Sequence, residues 1–190
     1  MRITDQSGPR AVTRRGVATD LGVAPMSLYH HVDGRDDLLA GMVGQLLEEV
    51  PEPAPGAPWQ DRIRSLFLAL RFVGQAHPRA FPLVLVHPRT RDLDRLRTAG
   101  AEAISDALTE RDVPREHVAP CEVVVWTLLL GFVVREALGH FRHHRPGGAD
   151  RAAAAVLAAV EHHVAWVSAD PVGAHRADPG TEWATSEDVR

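Results

Sequence analysis

The stretch from Thr13 to Leu39, TRRGVATDLGVAPMSLYHHVDGRDDLL, leaves the chain few local choices. The Thr13 hydroxyl can accept an N–H bond from the first turn of a helix, so a helix is expected from Arg14 to about Leu21. Val17, Ala18 and Leu21 mark one apolar face of it, and Gly22 stands where a left-handed residue stops a helix at least cost. Val23 is expected to point back into the core. Pro25 suits the first position of a second helix, where its missing N–H is harmless. Leu28 and Val32 would form the buried stripe of that helix, leaving Pro25, Met26, Tyr29 and His30 outward. Asp33-Gly34 breaks it, and Arg35-Asp36-Asp37 opens a third helix with carboxylates where the dipole favours them. A helix, a short glycine turn and a helix with an exposed N-terminal face form the unit whose second helix can enter the DNA major groove. A plain three-helix corner of an all-α domain would carry the same spacing.

The identities of the residues sharpen this reading. Val17-Ala18-x-x-Leu21-Gly22-Val23, then Ser27-Leu28-Tyr29-x-His31-Val32, then Arg35-x-x-Leu38-Leu39 closely resembles the tetracycline-repressor (TetR) family of bacterial regulators. The resemblance covers residues 1–45 and implies an all-α protein. Its N-terminal helix-turn-helix domain would bind DNA, and its C-terminal helical domain would bind a ligand and dimerise. It further implies a homodimer on a palindromic double-stranded operator, an unknown small-molecule effector and phosphate contacts from Tyr29 and Arg35. Two recognition helices of such a dimer must meet major-groove faces about 34–36 Å apart, or a multiple of that. The chain departs from the family at its start, where only a turn or two of a first helix fits between Met1 and Ser7 before Gly8-Pro9. Val17, Leu21, Leu28 and Val32 are therefore expected to be partly uncovered. The chain as written is expected to fold and dimerise yet bind its operator weakly, with added upstream residues raising the affinity.

The DNA-facing set is Thr13, Arg14, Arg15, Pro25, Met26, Ser27, Tyr29, His30 and Arg35. Arg15 could give a guanine edge the two-donor contact that reads O6 and N7, or could serve only a phosphate or solvent. Met26 offers apolar contact to a thymine methyl and His30 one hydrogen-bonding ring, so specificity would lean on Arg15 and DNA shape. Thr13, Ser27, Tyr29 and Arg35 have donors suited to phosphate oxygens, which position without reading sequence. His31 is expected to pack inward.

A net charge of −4 does not advertise a nucleic-acid binder. The objection weakens once the charges are placed: Arg10, Arg14, Arg15 and Arg35 surround the motif, while Glu48, Glu49 and Glu52 lie beyond it. With 190 residues, 45% of them hydrophobic, the chain can bury a sizeable core. The single cysteine, Cys121, excludes an internal disulfide and a cysteine zinc cluster, and beside an apolar run it reads as a buried thiol. The N-terminus lacks the apolar region of a signal peptide, and the uncharged run Val123–Val134 is too short to span a bilayer. A cytoplasmic protein with no membrane partner is expected.

The third helix should run to about Val50, closing a DNA-binding domain at residues 1–50. Four prolines in residues 51–58 then favour an extended linker. In the domain at 59–168, Trp59, Ile63, Leu66, Phe67, Leu70 and Val73 recur at helical spacing up to His77-Pro78. A short helical piece spans Ala80 to Val86. Leu93, Leu96, Gly100, Ala103, Ile104, Ala107 and Leu108 mark another long helix. Pro120 opens the most apolar one, Cys121 to about Phe141, expected to be buried on nearly all sides. Ala149 to Val167 carries Val156, Val160, Val164 and Val167 in a stripe, and residues 169–190 read as a flexible tail. The last two helices are expected to pack on their symmetry mates, with Val160 and Val164 at the two-fold.

Candidate pocket residues are Phe67, Leu70, Phe81, Trp126 and Leu130, chosen as large residues on inward stripes; core packing would explain each equally well. His140 and His144 share a helix face at a metal-binding spacing, but Arg142 and Arg145 oppose a cation, so no metal and no other cofactor is expected. No phosphate loop, nucleophile elbow or His-Glu-x-x-His motif is present, which argues against an enzyme. The polar interruption Arg135-Glu136 reads as part of an ion pair. Two other readings stay open: a helical small-molecule- or metal-binding protein with a non-functional DNA-binding half, and a helical enzyme using the histidines.

Overall fold

The computed structural model describes residues 1–24, 26–27, 32–87, 91–113, 115–141 and 146–169. Among them there are helices and turns and no strand. Pro25, Leu28, Tyr29, His30, His31, Arg142, His143, His144, Arg145 and the tail from residue 170 lie outside the described residues.

The chain opens with α1 (Arg2–Ser7) and a 3-10 turn at Pro9–Ala11. Then come α2 (Arg14–Leu21) and α3 (Arg35–Glu48). The C-terminal part consists of α4 (Trp59–Ala76), the single turn α5 (Leu83–Val86), α6 (Arg91–Thr109), α7 (Val118–Ala137) and α8 (Gly148–Ala169). Residues 51–58 form no helix, as four prolines dictate.

Helix α4 packs on α6 and α7, and α7 in turn on α6 and α8. The predicted stripe of α4 is buried in full, from Trp59 through Val73, as is that of α6 from Leu93 to Leu108. Phe67 meets Phe132 edge-on at 5.5 Å, the geometry aromatic quadrupoles favour. One core joins both halves of the chain: Leu39, Val43, Leu46, Leu47 and Val50 belong to the same buried cluster as α4, α6 and α7. Polar clasps hold the helices in register. Arg71 of α4 makes a forked pair with Glu136 of α7, at 2.8 and 2.7 Å, and reaches Asp150 of α8 at 2.6 Å. Its guanidinium pKa is raised above the ordinary arginine value, chiefly by the bonds to Glu136. Arg62 of α4 reaches Asp106 of α6 at 2.5 Å.

Several expectations need correction. Helix α7 begins at Val118, so Pro120 sits inside its first turn, and it ends at Ala137. It is not buried on nearly all sides: Val123, Val124 and Thr127 are exposed along one face. The helical segment Arg115–Ala137 is long and apolar enough to cross a membrane, as is Gly148–Ala169. Both instead bury an apolar face in the core, α7 with Cys121, Val125, Leu129 and Phe132. Val160 and Val164 are buried inside their own protomer, so they are unavailable to a two-fold. The outward face of α8 carries Ala154, Ala155, Ala158, Ala159, His162 and Trp166.

Candidate nucleic-acid interface and a cleft in the helical core

The helix-turn-helix entrance is built as its residue types dictate. Thr13 caps α2, its Oγ1 accepting from the Gly16 N–H at 3.0 Å. A Cβ at position 16 would stand only 3.0 Å from that oxygen, so glycine lets cap and helix close together. Gly22 ends α2 in the left-handed region at φ 69°. The Val23 N–H donates to Ala18 O at 3.0 Å and the Gly22 N–H to Thr19 O at 3.2 Å, which is a Schellman ending. That ending carries Val23 outward, so it is exposed and does not return to the core as expected. Leu21 is also 63% exposed, while Val17 and Val32 are half-buried.

Helix α1 is fixed by polar contacts and by Ile3, which packs on the core. Arg2 pairs with Asp20 of α2, and His77 Nδ1 lies 3.1 Å from Asp5 Oδ2. Arg79 donates to the Gln6 carbonyl. Around the unit, Arg15, Met26 and Ser27 are exposed and Arg14 is half-buried. Thr13 and Arg15 border one open depression of about 580 Å³ together with Arg2 and Thr19. Arg2 is thus a second arginine on this face that the sequence reading passed over; only the pairing of α1 with α2 brings it there. Arg35, expected to serve phosphates, first donates to the Pro9 carbonyl at 2.9 Å and ties the N-terminal turn to α3. A guanidinium has five donors, so this bond occupies only part of it.

The second concavity is a cleft of about 390 Å³ between α5, α6 and α7, lined mainly by Val84, Leu85, Leu93, Val123, Trp126 and Leu130. Trp126 and Leu130 therefore reach a cavity. Phe67, Leu70 and Phe81 do not: all three are fully buried in the closed core, where inward stripes of large residues pack on one another. The polar groups at the cleft are Arg97, Glu122 and Thr127. Sequence reasoning missed Glu122 and singled out Glu136, which is held by Arg71 and by Gln75, whose Nε2 donates to it at 3.1 Å. The signal available was a carboxylate directly after Cys121, at the start of the most apolar helix. Cys121 itself is buried, and burial pushes its thiol from 9.0 up to about 11. His140 and His162 are exposed, and among the described residues no three His, Cys, Asp or Glu side chains cluster to hold a metal.

No protein-family model matches the chain. A curated relative, an HTH-type transcriptional regulator of Saccharopolyspora erythraea, is 29% identical over 162 residues, 85% of this chain. The match spans 66% of the relative's own length. Among solved structures, Mycobacterium smegmatis BioQ superposes with a TM-score of 0.73 at 22% identity, over 87% of this chain and 92% of that one. SCO7222, a TetR from Streptomyces coelicolor, gives 0.69 at 18% identity, over 88% and 93%. BioQ with its natural double-stranded DNA operator gives 0.63 at 22% identity, over 83% and 92%. The proteins so matched include named transcriptional regulators and an operator complex.

Proposed function

The chain has the fold of the TetR regulators, and we propose that it is a ligand-responsive transcriptional repressor, acting in the cytoplasm as a homodimer on a palindromic operator. The observation that carries the proposal is the N-terminal unit. A threonine-capped α2 ends in a left-handed glycine turn, and Arg15, Met26 and Ser27 lie exposed on the flanking surface. The fold shared with an operator-bound structure supports the same reading. Arg15 would read a base edge, and Thr13, Arg14, Ser27 and the free donors of Arg35 would meet phosphates. Pro25, Tyr29 and His30 complete the proposed set.

The homodimer would form through the outward faces of α7 and α8. Val123, Val124 and Trp166 expose apolar surface there, and the alanines of α8 allow close helix approach. Val123 and Thr127 belong to both the α7 face and the rim of the cleft, so the cleft would open beside the dimer interface. The effector would occupy that cleft, with Trp126 and Leu130 in its wall. It would act by favouring an arrangement whose two recognition helices no longer match the groove spacing. The test is a titration of duplexes from the DNA upstream of the chain's own gene, with the stoichiometry read by sedimentation. Two protomers on one duplex, with an affinity that falls as salt rises, support the proposal. A chain that sediments as a monomer and ignores these duplexes overturns it. Ala158→Glu should produce monomers, whereas an unchanged dimer would put the interface elsewhere.

A further inference from the structure

We propose that the cleft between α5, α6 and α7 selects organic cations, that is, an apolar body bearing a protonated amine or quaternary ammonium that sits against Glu122. This rests on the reading of that cleft as the effector site. The lining is mostly aliphatic and aromatic, so the ligand body is apolar. Within it, the Glu122 side chain is only 17% exposed and sits on the rigid α7. Its one described cationic neighbour is Arg97, whose Nε lies 3.7 Å away on a side chain that is 52% exposed. At that separation there is no hydrogen bond, and a rim pair of this kind contributes little.

The two partners therefore respond differently to an incoming ligand. Arg97 can swing its long stem into water, but Glu122 cannot leave the wall. An apolar body that fills the cleft strips water from the carboxylate, and a desolvated carboxylate is costly unless a cation replaces the water. A ligand ammonium supplies that cation at the same place, and the Trp126 ring beside it adds an attractive π surface. An anionic ligand would meet Glu122 as a like charge.

Trp126 also closes the wall against α6. The Trp126 indole N–H is buried and has no partner, and the indole edge rests on α6 at Gly100, where a Cβ would come within 3.1 Å of the ring. The selected class is thus a cationic amphiphile with an apolar body.

The experiment titrates the whole chain calorimetrically with three probes of similar shape: 4-phenylbutyltrimethylammonium, 4-phenylbutanol and 5-phenylpentanoate. The cation should bind about tenfold or more tighter than the alcohol, as a charge-assisted contact would give, and the carboxylate should bind weakest. Glu122→Gln should abolish the preference for the cation, with the alcohol binding somewhat tighter once no carboxylate is desolvated, and Glu122→Asp should keep part of the preference. Arg97→Gln should strengthen the cation. An alcohol that binds as tightly as the cation, or a cation indifferent to Glu122→Gln, overturns the charge selection while the site stands. Gly131→Leu, whose side chain enters open space at the cleft, should block cation and alcohol alike. If no probe binds, or if binding survives Gly131→Leu, the cleft is not the effector site and the proposal falls with it.

Discussion

Arg95 of α6 donates through Nη2 to the carbonyl of Leu47 at 3.1 Å, in the last turn of α3. The same nitrogen reaches Val50 O at 3.3 Å, and Nη1 reaches Glu52 at 3.1 Å. A cation at a helix C-terminus meets unsatisfied carbonyls and the negative end of the dipole. The helix that lines the cleft through Leu93 and Arg97 therefore also grips α3, whose other end at Arg35 holds the Pro9 turn. Arg95→Ala should lower stability by about 1–2 kcal/mol, with an unchanged denaturant slope. It should also shrink the change in DNA affinity that a cleft ligand causes, while the ligand still binds. Unaltered coupling in this variant would place the transmission elsewhere.

Two helical glycines predict opposite outcomes. At Gly74 a Cβ would come within 2.5 Å of Val133 Cγ1 and 3.5 Å of Phe81, so Gly74→Ala should destabilise by about 1–3 kcal/mol. At Gly131 a Cβ meets nothing within 4 Å, and Gly131→Ala should stabilise α7 by about 0.5–1 kcal/mol. Thermal denaturation of the two variants side by side checks both signs.

The Arg71–Glu136 pair is largely buried, at 14% and 11% side-chain exposure. Removing Glu136 leaves the buried Arg71 guanidinium only its bond to the exposed Asp150, so Glu136→Ala should cost about 3 kcal/mol. Asp150 is mostly exposed, and Asp150→Ala should cost less than about 1 kcal/mol. Replacing both Arg71 and Glu136 with apolar residues of similar size should cost less than Glu136→Ala alone. A larger loss in the double variant would contradict this picture.

Burial raises the Cys121 thiol from 9.0 to about 11, so the folded chain keeps this proton at a pH where the unfolded chain has lost it. The group's contribution to stability is therefore fully present below about pH 9 and is lost as pH rises through 11. At pH 8, iodoacetamide should label Cys121 far more slowly in native protein than in urea. Equal rates would mean that the thiol is accessible.

What was legible in the sequence is what is local. Thr13, Gly22 and the prolines of residues 51–58 act on their neighbours, and the stripes of α4 and α6 repeat within a few turns, so these elements fall where the sequence puts them. Contacts between distant residues were not legible: nothing near Arg95 points to Leu47, nor anything near His77 to Asp5. Face assignment failed where both faces of a helix are small or apolar. On α8 the valines and alanines compete, and the larger valines took the protomer's own core. On α7 nearly every residue is apolar, so periodicity could not separate core, cleft and exposed face. The same ambiguity sent three of the five pocket candidates into closed packing.

The most direct test of the DNA-binding account is a titration of wild type, Arg15→Ala and Arg35→Ala on a preferred operator and on random duplex, across a salt series. Arg15→Ala should lose about 1–3 kcal/mol on the operator alone and relax preference at one base pair. Arg35→Ala should weaken both duplexes alike and flatten the salt slope by about one unit. Equal losses on operator and random DNA for Arg15→Ala, or a wild-type chain with no preference between the two duplexes, would contradict the account.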